Sequence, residues 1–213
     1  MMLCYAFIAF TIDVATATFE YPGRATMNDV FEFFKTEQEI LLYKRSYSRQ
    51  IEKYDPVCIY NRVKEMSGSR IRLYQRYDYG TQSKHGCFAY GVSYNVSKQP
   101  GMDIAPIIEA KKTKEHKCTK AAYIENSKGL DEFEGDYKEG RTYLFQYYDA
   151  TEKCAVITFS DKKHSIKCEL HVWYTFYHKE KSNCLREYDY LCGKRPVYHL
   201  YKNKLCEWAL PKI

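Results

Sequence analysis

Glu169, His171 and Trp173 stand at alternate positions in the strand-like run Ile166–Phe176, so they share one side of it. A carboxylate beside an indole suits a small cation, through ion pairing and cation–π contact. An imidazole on the same face suits the head group of an anion. A second set lies in the run from Cys87 to Val96, where Phe88, Tyr90, Val92, Tyr94 and Val96 fall on one face and Ala89, Gly91, Ser93 and Asn95 on the other. Turned inwards, the large residues would wall a cavity with rings and hydroxyl tips. Neither set has the parts of a catalyst. The chain carries no G-x-S-x-G, no H-E-x-x-H and no active-site cysteine motif. His85, His116, His164, His178 and His199 fall in loops or at element ends. The reading is a binder, not an enzyme, with no catalytic residues and no cofactor.

The cysteines place this chemistry in an exported chain. Leu3 to Ile12 is an apolar run of signal-peptide length followed by Ala15-Thr16-Ala17, a small-x-small cleavage pattern, so residues 1–17 are expected to be a leader and residues 18–213 one domain. No base precedes that run and Asp13 interrupts its end; the competing reading is a buried first strand. Cleavage would remove Cys4 and leave Cys58, Cys87, Cys118, Cys154, Cys168, Cys184, Cys192 and Cys206, an even set that reads as a disulfide framework. A zinc site would want C-x-x-C pairs or finger spacing, and neither occurs, so no metal is expected. The formal net charge of +6 is mild for 213 residues, and the basic runs Lys111-Lys112-Thr113-Lys114 and Lys162-Lys163-His164 read as solvated turns, which argues against nucleic acid. Nothing beyond the leader is long enough and apolar enough to suggest a membrane span.

The elements that must position these residues are mostly strands. Thr26 to Lys35 reads as a short helix capped by Thr26 or Asn28. Strands are expected at Glu39–Tyr47, Cys58–Val63, Arg70–Tyr79 and Cys87–Val96, with a hairpin at Ser67-Gly68-Ser69. Ile104–Lys111 and Cys118–Glu125 are weaker candidates. Arg141–Tyr148 and Lys153–Ser160 form a second hairpin, and Ile166–Phe176 another strand. Ser182–Cys192 reads as a helix capped by Ser182 or Asn183, with Cys184, Tyr188, Leu191 and Cys192 on one stripe, and Val197–Tyr201 as a last short strand. Short strands without βαβ alternation indicate a closed barrel or a sandwich, and an eight-stranded barrel encloses one small ligand. The 22 tyrosines fit either a β-rich core with polar tips or a cavity lined by hydroxyls. Asn95-Val96-Ser97 is a glycosylation sequon with its asparagine on the small, outward face.

Four stretches give the chain a resemblance to the tick salivary lipocalins, the group of the tick histamine-binding proteins. They are DVFEFF running into EILLYKRSY; Tyr54-Asp55-Pro56-Val57-Cys58-Ile59-Tyr60; Tyr143 to Phe159 with Cys154; and Cys168-Glu169-Leu170 followed by Asn183-Cys184, Tyr190-Leu191-Cys192-Gly193 and Cys206. The resemblance implies an all-β fold: an eight-stranded antiparallel lipocalin barrel with a short amino-terminal helix and a carboxy-terminal helix packed outside. Eight cysteines allow 105 pairings; the resemblance implies Cys58–Cys206, Cys154–Cys184 and Cys168–Cys192, which leaves Cys87 and Cys118 for each other. With Cys154 and Cys168 tied to an outer helix, Ala155, Ile157, Phe159, Glu169, His171, Trp173 and Thr175 are expected to face the cavity, and Leu170, Val172 and Tyr174 the helix.

The resemblance also implies a secreted salivary monomer that sequesters a small host mediator and so suppresses host defence during blood feeding. Amine-binding members of the family carry Cys-Asp-aliphatic, then Glu-Leu-aromatic, then Cys. Here Cys154, Glu169-Leu170 and Cys184 keep the spacing, but Ala155 replaces the Asp and His171 the aromatic residue. Glu169 and Trp173 favour histamine or serotonin. Ala155, His171 and the apolar set Phe88, Tyr90, Val92, Tyr94, Ile157 and Phe159 favour a fatty acid or lipid mediator. An alternative of another class is a surface-acting inhibitor of a host protein, with the cavity incidental.

Overall fold

The structure, a computed structural model, describes residues 23–49, 55–80, 85–112, 116–117, 138–161, 163–193, 195–200 and 206. The expected leader, the expected strand Cys118–Glu125 and Cys118 itself lie outside these residues.

One antiparallel sheet closes on itself. Its eight long strands are β1 (Ile40–Arg45), β2 (Pro56–Ser67), β3 (Arg70–Gly80), β4 (His85–Ser97), β5 (Ile107–Lys112), β7 (Lys138–Asp149), β8 (Cys154–Ser160) and β9 (Ile166–Trp173), each paired with the next, and β9 pairs back onto β1. The short β6 (His116–Lys117) pairs with β4, and β10 (Tyr198–His199) with β1. One edge of β1 lies along β9. The other is shared: β2 pairs with Ile40 and Leu41, and β10 with Lys44 and Arg45. The β2–β3 turn is tight, with Ser67 opposite Arg70 and Gly68 at φ 55°, a left-handed conformation that glycine adopts without a Cβ clash.

Strand alternation sorts the side chains into two cores. Inside the barrel lie Ile40, Leu42, Ile59, Ile71, Leu73, Tyr77, Phe88, Tyr90, Val92, Tyr94, Val96, Ile108, Tyr143, Phe145, Ala155, Ile157 and Phe159. Outside lie Leu41, Tyr43, Cys154, Val156, Cys168, Leu170 and Val172, packed with Cys184, Tyr188 and Cys192 of the helix α2 (Ser182–Cys192). Disulfides Cys154–Cys184 and Cys168–Cys192 fasten α2 to β8 and β9, and Cys58–Cys206 joins β2 to the carboxy-terminal segment. Cys87 is also disulfide-bonded.

The helix α1 (Met27–Phe34) stops one end of the barrel. Thr26 Oγ1 accepts from the Asp29 amide, and the Asp29 carboxylate accepts from the Thr26 amide, so both ends of a capping box are made. Val30, Phe33 and Phe34 form its buried face, at the spacing of one helix stripe. The Phe33 ring meets Phe145 at 5.7 Å and the Phe34 ring meets Tyr94 at 5.7 Å.

Two expectations need correction. The strand expected over Ile166–Phe176 ends at Trp173, and Tyr174–Phe176 is a 3₁₀ turn, because the chain there bonds elsewhere: the Tyr174 amide donates to the Glu39 carbonyl at 2.9 Å and Thr175 donates to Gln38. Thr175 is therefore exposed rather than inside. Nor does Ser182 or Asn183 cap α2. Lys181 stands at the N-cap but its ammonium donates backwards to the Tyr177 and Lys179 carbonyls and makes no capping bond, and Glu152, from the β7–β8 turn, accepts from the Asn183 amide at 3.0 Å and the Cys184 amide at 3.1 Å.

Candidate functional site

The end of the barrel opposite α1 is open. A space of about 1070 Å³ there is lined by Tyr47, Arg49, Tyr90, Ala110, Lys112, Arg141, Phe159, Asp161, Lys167, Arg195 and Tyr198, among others. It lies where β1 ends, β5 ends, β7 begins, β8 ends and β9 begins, so strand register delivers Tyr90, Ala110, Lys112, Arg141, Phe159 and Lys167, while Tyr47, Arg49, Asp161 and Arg195 come from the segments beyond the strand ends. Ile108, Ala110 and Lys112 alternate on one face of β5, and Arg141, Tyr143 and Phe145 on one face of β7; each series runs from the core to the rim.

Five cationic side chains meet one acid in this lining. Lys167 takes up that acid, its ammonium 3.2 Å from Asp161, and Arg195 donates to the Cys192 carbonyl. Arg49 and Arg141 are held differently. The Arg49 guanidinium lies 4.4 Å from the Tyr77 ring centroid, and its Nη1 donates to the hydroxyl of that tyrosine at 3.0 Å. The Arg141 guanidinium lies 4.2 Å from the Phe159 ring centroid and donates to the Tyr143 hydroxyl at 3.4 Å. Among the described residues neither has a carboxylate at ion-pair distance. The Lys112 ammonium sits 4.7 Å from the Tyr90 ring and 3.3 Å from the Tyr77 hydroxyl. Three cations are thus carried on aromatic faces around one opening, an electropositive rim over an apolar wall.

Deeper in, the space bordered by the described residues around Glu169 is small. The space beside Glu169 and His171 measures about 10 Å³ and is completed by Tyr94, Ile108, Tyr143 and Ile157. The His171 Nε2 lies 2.9 Å from Glu169 Oε2, and the Tyr47 hydroxyl donates to Oε1 of the same carboxylate. Burial by itself would raise the pKa of Glu169; the hydrogen bond and charge of His171, the Tyr47 hydroxyl and the Arg141 charge outweigh it and hold the group at about 2. Tyr47 is pushed well up, first by burial and then by the Glu169 charge, so its phenol keeps the proton it donates.

The expected site residues divide between these two spaces. Tyr90 and Phe159 line the open mouth, while Tyr94, Ile157, Glu169 and His171 line the small inner space. Phe88, Val92 and Ala155 belong to the inner core but line neither; Phe88 stacks on Tyr79 at 5.2 Å. Trp173 is not brought to Glu169. Its Nε1 donates to the Phe33 carbonyl at 2.9 Å, and the Lys153 ammonium stands 4.8 Å from its ring, which makes it part of the α1 stopper. Sequence reasoning had not singled out Tyr47, Arg49, Lys112, Arg141 and Arg195. For Lys112 and Arg141 the period of two along β5 and β7 carried the signal.

Among curated proteins none matches this chain. Among solved structures, Japanin from Rhipicephalus appendiculatus bound to cholesterol aligns at 12% identity and a TM-score of 0.46, over 78% of this chain and 93% of that one. The profile of the family described as Tick histamine binding protein matches residues 19–207, and with that span the chain belongs to the tick histamine-binding protein family.

Proposed function

We propose that this lipocalin sequesters a small amphiphile with an anionic head group, stoichiometrically and without turnover, at the open end of its barrel. The observation that carries this reading is the pair Arg49 and Arg141, which line the mouth on aromatic faces with no carboxylate at ion-pair distance among the described residues. Guanidinium groups held this way favour a carboxylate or another anion that accepts two hydrogen bonds. Tyr47, Tyr90 and Phe159 offer the apolar wall against which an acyl or polyene chain lies. A small ammonium ion would meet this rim as a like charge. The disulfides fit an exported protein, and with the family they support a mediator of host haemostasis or inflammation as the ligand and tick saliva as the setting.

Calorimetric titration with arachidonic acid, a leukotriene, histamine and serotonin tests the reading. The acids are expected to bind one to one, at or below about micromolar, near −8 kcal/mol, and the amines far more weakly. Tighter binding of either amine overturns it. Binding of none of the four also overturns it and leaves capture of a host protein by the outer surface as the surviving reading.

A further inference from the structure

The inner space raises a question separate from the mouth. Glu169 is a carboxylate inside an apolar barrel, 7% exposed, among Tyr94, Ile108, Tyr143 and Ile157. Such a charge is costly to bury without donors at both oxygens. Both donors come from side chains: the Tyr47 hydroxyl on Oε1, and the His171 imidazole, its Nε2 2.9 Å from Oε2.

The surroundings fit a ring. Ala155 lies directly opposite His171 across the β8–β9 ladder and Ile157 lies opposite Glu169, so the wall recedes where the imidazole lies. The space left over, about 10 Å³, is of the order of one water. Above it the Tyr47 ring meets Phe159 at 5.3 Å, and Phe159 meets Tyr143 at 5.3 Å. Tyr47 and Phe159 border the mouth and Tyr143 borders the inner space, so this aromatic layer separates the two.

A carboxylate and a phenol at the bottom of an aromatic cup, holding a flat N–H heterocycle, make a complete recognition site with its ligand in place. We propose that His171 is an internal ligand: its imidazole occupies in cis a Glu169–Tyr47 site whose chemistry otherwise takes an imidazole or a small imidazole-bearing amine from solution. The resident ring keeps such molecules out. The site and the anion-binding rim share Tyr47, which turns its hydroxyl to Glu169 and also lines the mouth, but they take ligands of opposite charge, and either reading can fail without the other.

The test removes the ring and offers it back. His171→Ala opens a cavity beside the carboxylate, and imidazole is expected to bind this variant about tenfold or more tightly than it binds the parent and to raise its unfolding temperature. The second change Glu169→Gln is expected to abolish both effects. A folded His171→Ala protein that shows no gain for imidazole overturns the proposal, and so does rescue that persists in the double variant. Should His171→Ala fail to fold, the parent protein decides. With histidines labelled by nitrogen-15, the ring resonances of His171 are expected to stay unchanged under excess histamine. A shift of those signals on adding histamine would show the ring to be displaceable and overturn the proposal.

Discussion

Ala155 and His171 face each other directly across the β8–β9 ladder, and both are buried inside the barrel. Alanine ends at Cβ, so the imidazole can lie towards Glu169 without crossing a neighbour. Ala155→Leu is expected to drive that ring off its bond and to lower stability by about 1–3 kcal/mol, the usual cost of overpacking a filled core. Urea denaturation of the variant beside the parent measures it, and an unchanged midpoint would refute the tight fit.

Glu169 makes the barrel acid-sensitive. Its folded pKa of about 2 lies below the ordinary value of 4.5, so the stability it contributes is complete above 4.5 and is lost as pH falls through 2. The loss should amount to a few kcal/mol. Denaturation curves collected from pH 7 to pH 2 are expected to show a decline over that interval in the parent. In Glu169→Gln the decline should be shallower; an identical pH profile would contradict the assignment.

Arg141 should matter to the ligand more than to the fold. Arg141→Ala removes one charge-assisted contact to an anionic head and is expected to weaken binding of a fatty acid about 10- to 100-fold, with little change in unfolding temperature. Arg141→Lys should recover part of the affinity. The parent should also lose affinity as salt is raised. Affinity indifferent to both the substitution and the salt would place the head group elsewhere.

Much of this was legible along the chain, and the gaps have causes. The helix α1 is announced by the capping residues Thr26 and Asn28 ahead of an apolar run, and of the two the structure uses Thr26, with Asp29 closing the box. The inner face of β4 follows from strict alternation between Phe88 and Val96. The cap of α2 was not legible because its carboxylate, Glu152, stands on another element, about thirty residues upstream of the amides it serves. Trp173 carried the right residue type for an amine cage, yet the helix that claims its indole nitrogen lies 140 residues away in sequence. Arg49 follows the end of β1, where no period indicates which way a side chain turns.

Glu152 yields a prediction of its own. Glu152→Ala leaves the Asn183 and Cys184 amides without their acceptor and is expected to cost about 1 kcal/mol. The barrel and the Cys154–Cys184 bridge should survive. Hydrogen exchange should quicken in the first turn of α2 and stay unchanged in β8; uniform acceleration would point to global loosening instead of a lost cap.

Asn95 stands exposed on β4, where the Ser69 hydroxyl donates to its Oδ1 at 3.2 Å. Secretion from a eukaryotic cell line is expected to add a glycan at this sequon, visible as a mass shift that Asn95→Gln abolishes. A parent protein of unglycosylated mass from such cells would refute it.

The shared edge of β1 has a consequence for the order of events at birth. Ile40 and Leu41 can zip onto β2 early, but Lys44 and Arg45 wait for β10, and the β1–β9 seam waits for residues up to Trp173. A chain emerging amino-terminus first therefore carries an open sheet edge until almost its whole length is out, and closure is a late, long-range step. Chains stopped short of Tyr198 are expected to leave the Lys44–Arg45 edge unpaired and to self-associate, so a premature stop there does damage out of proportion to the two residue pairs it removes.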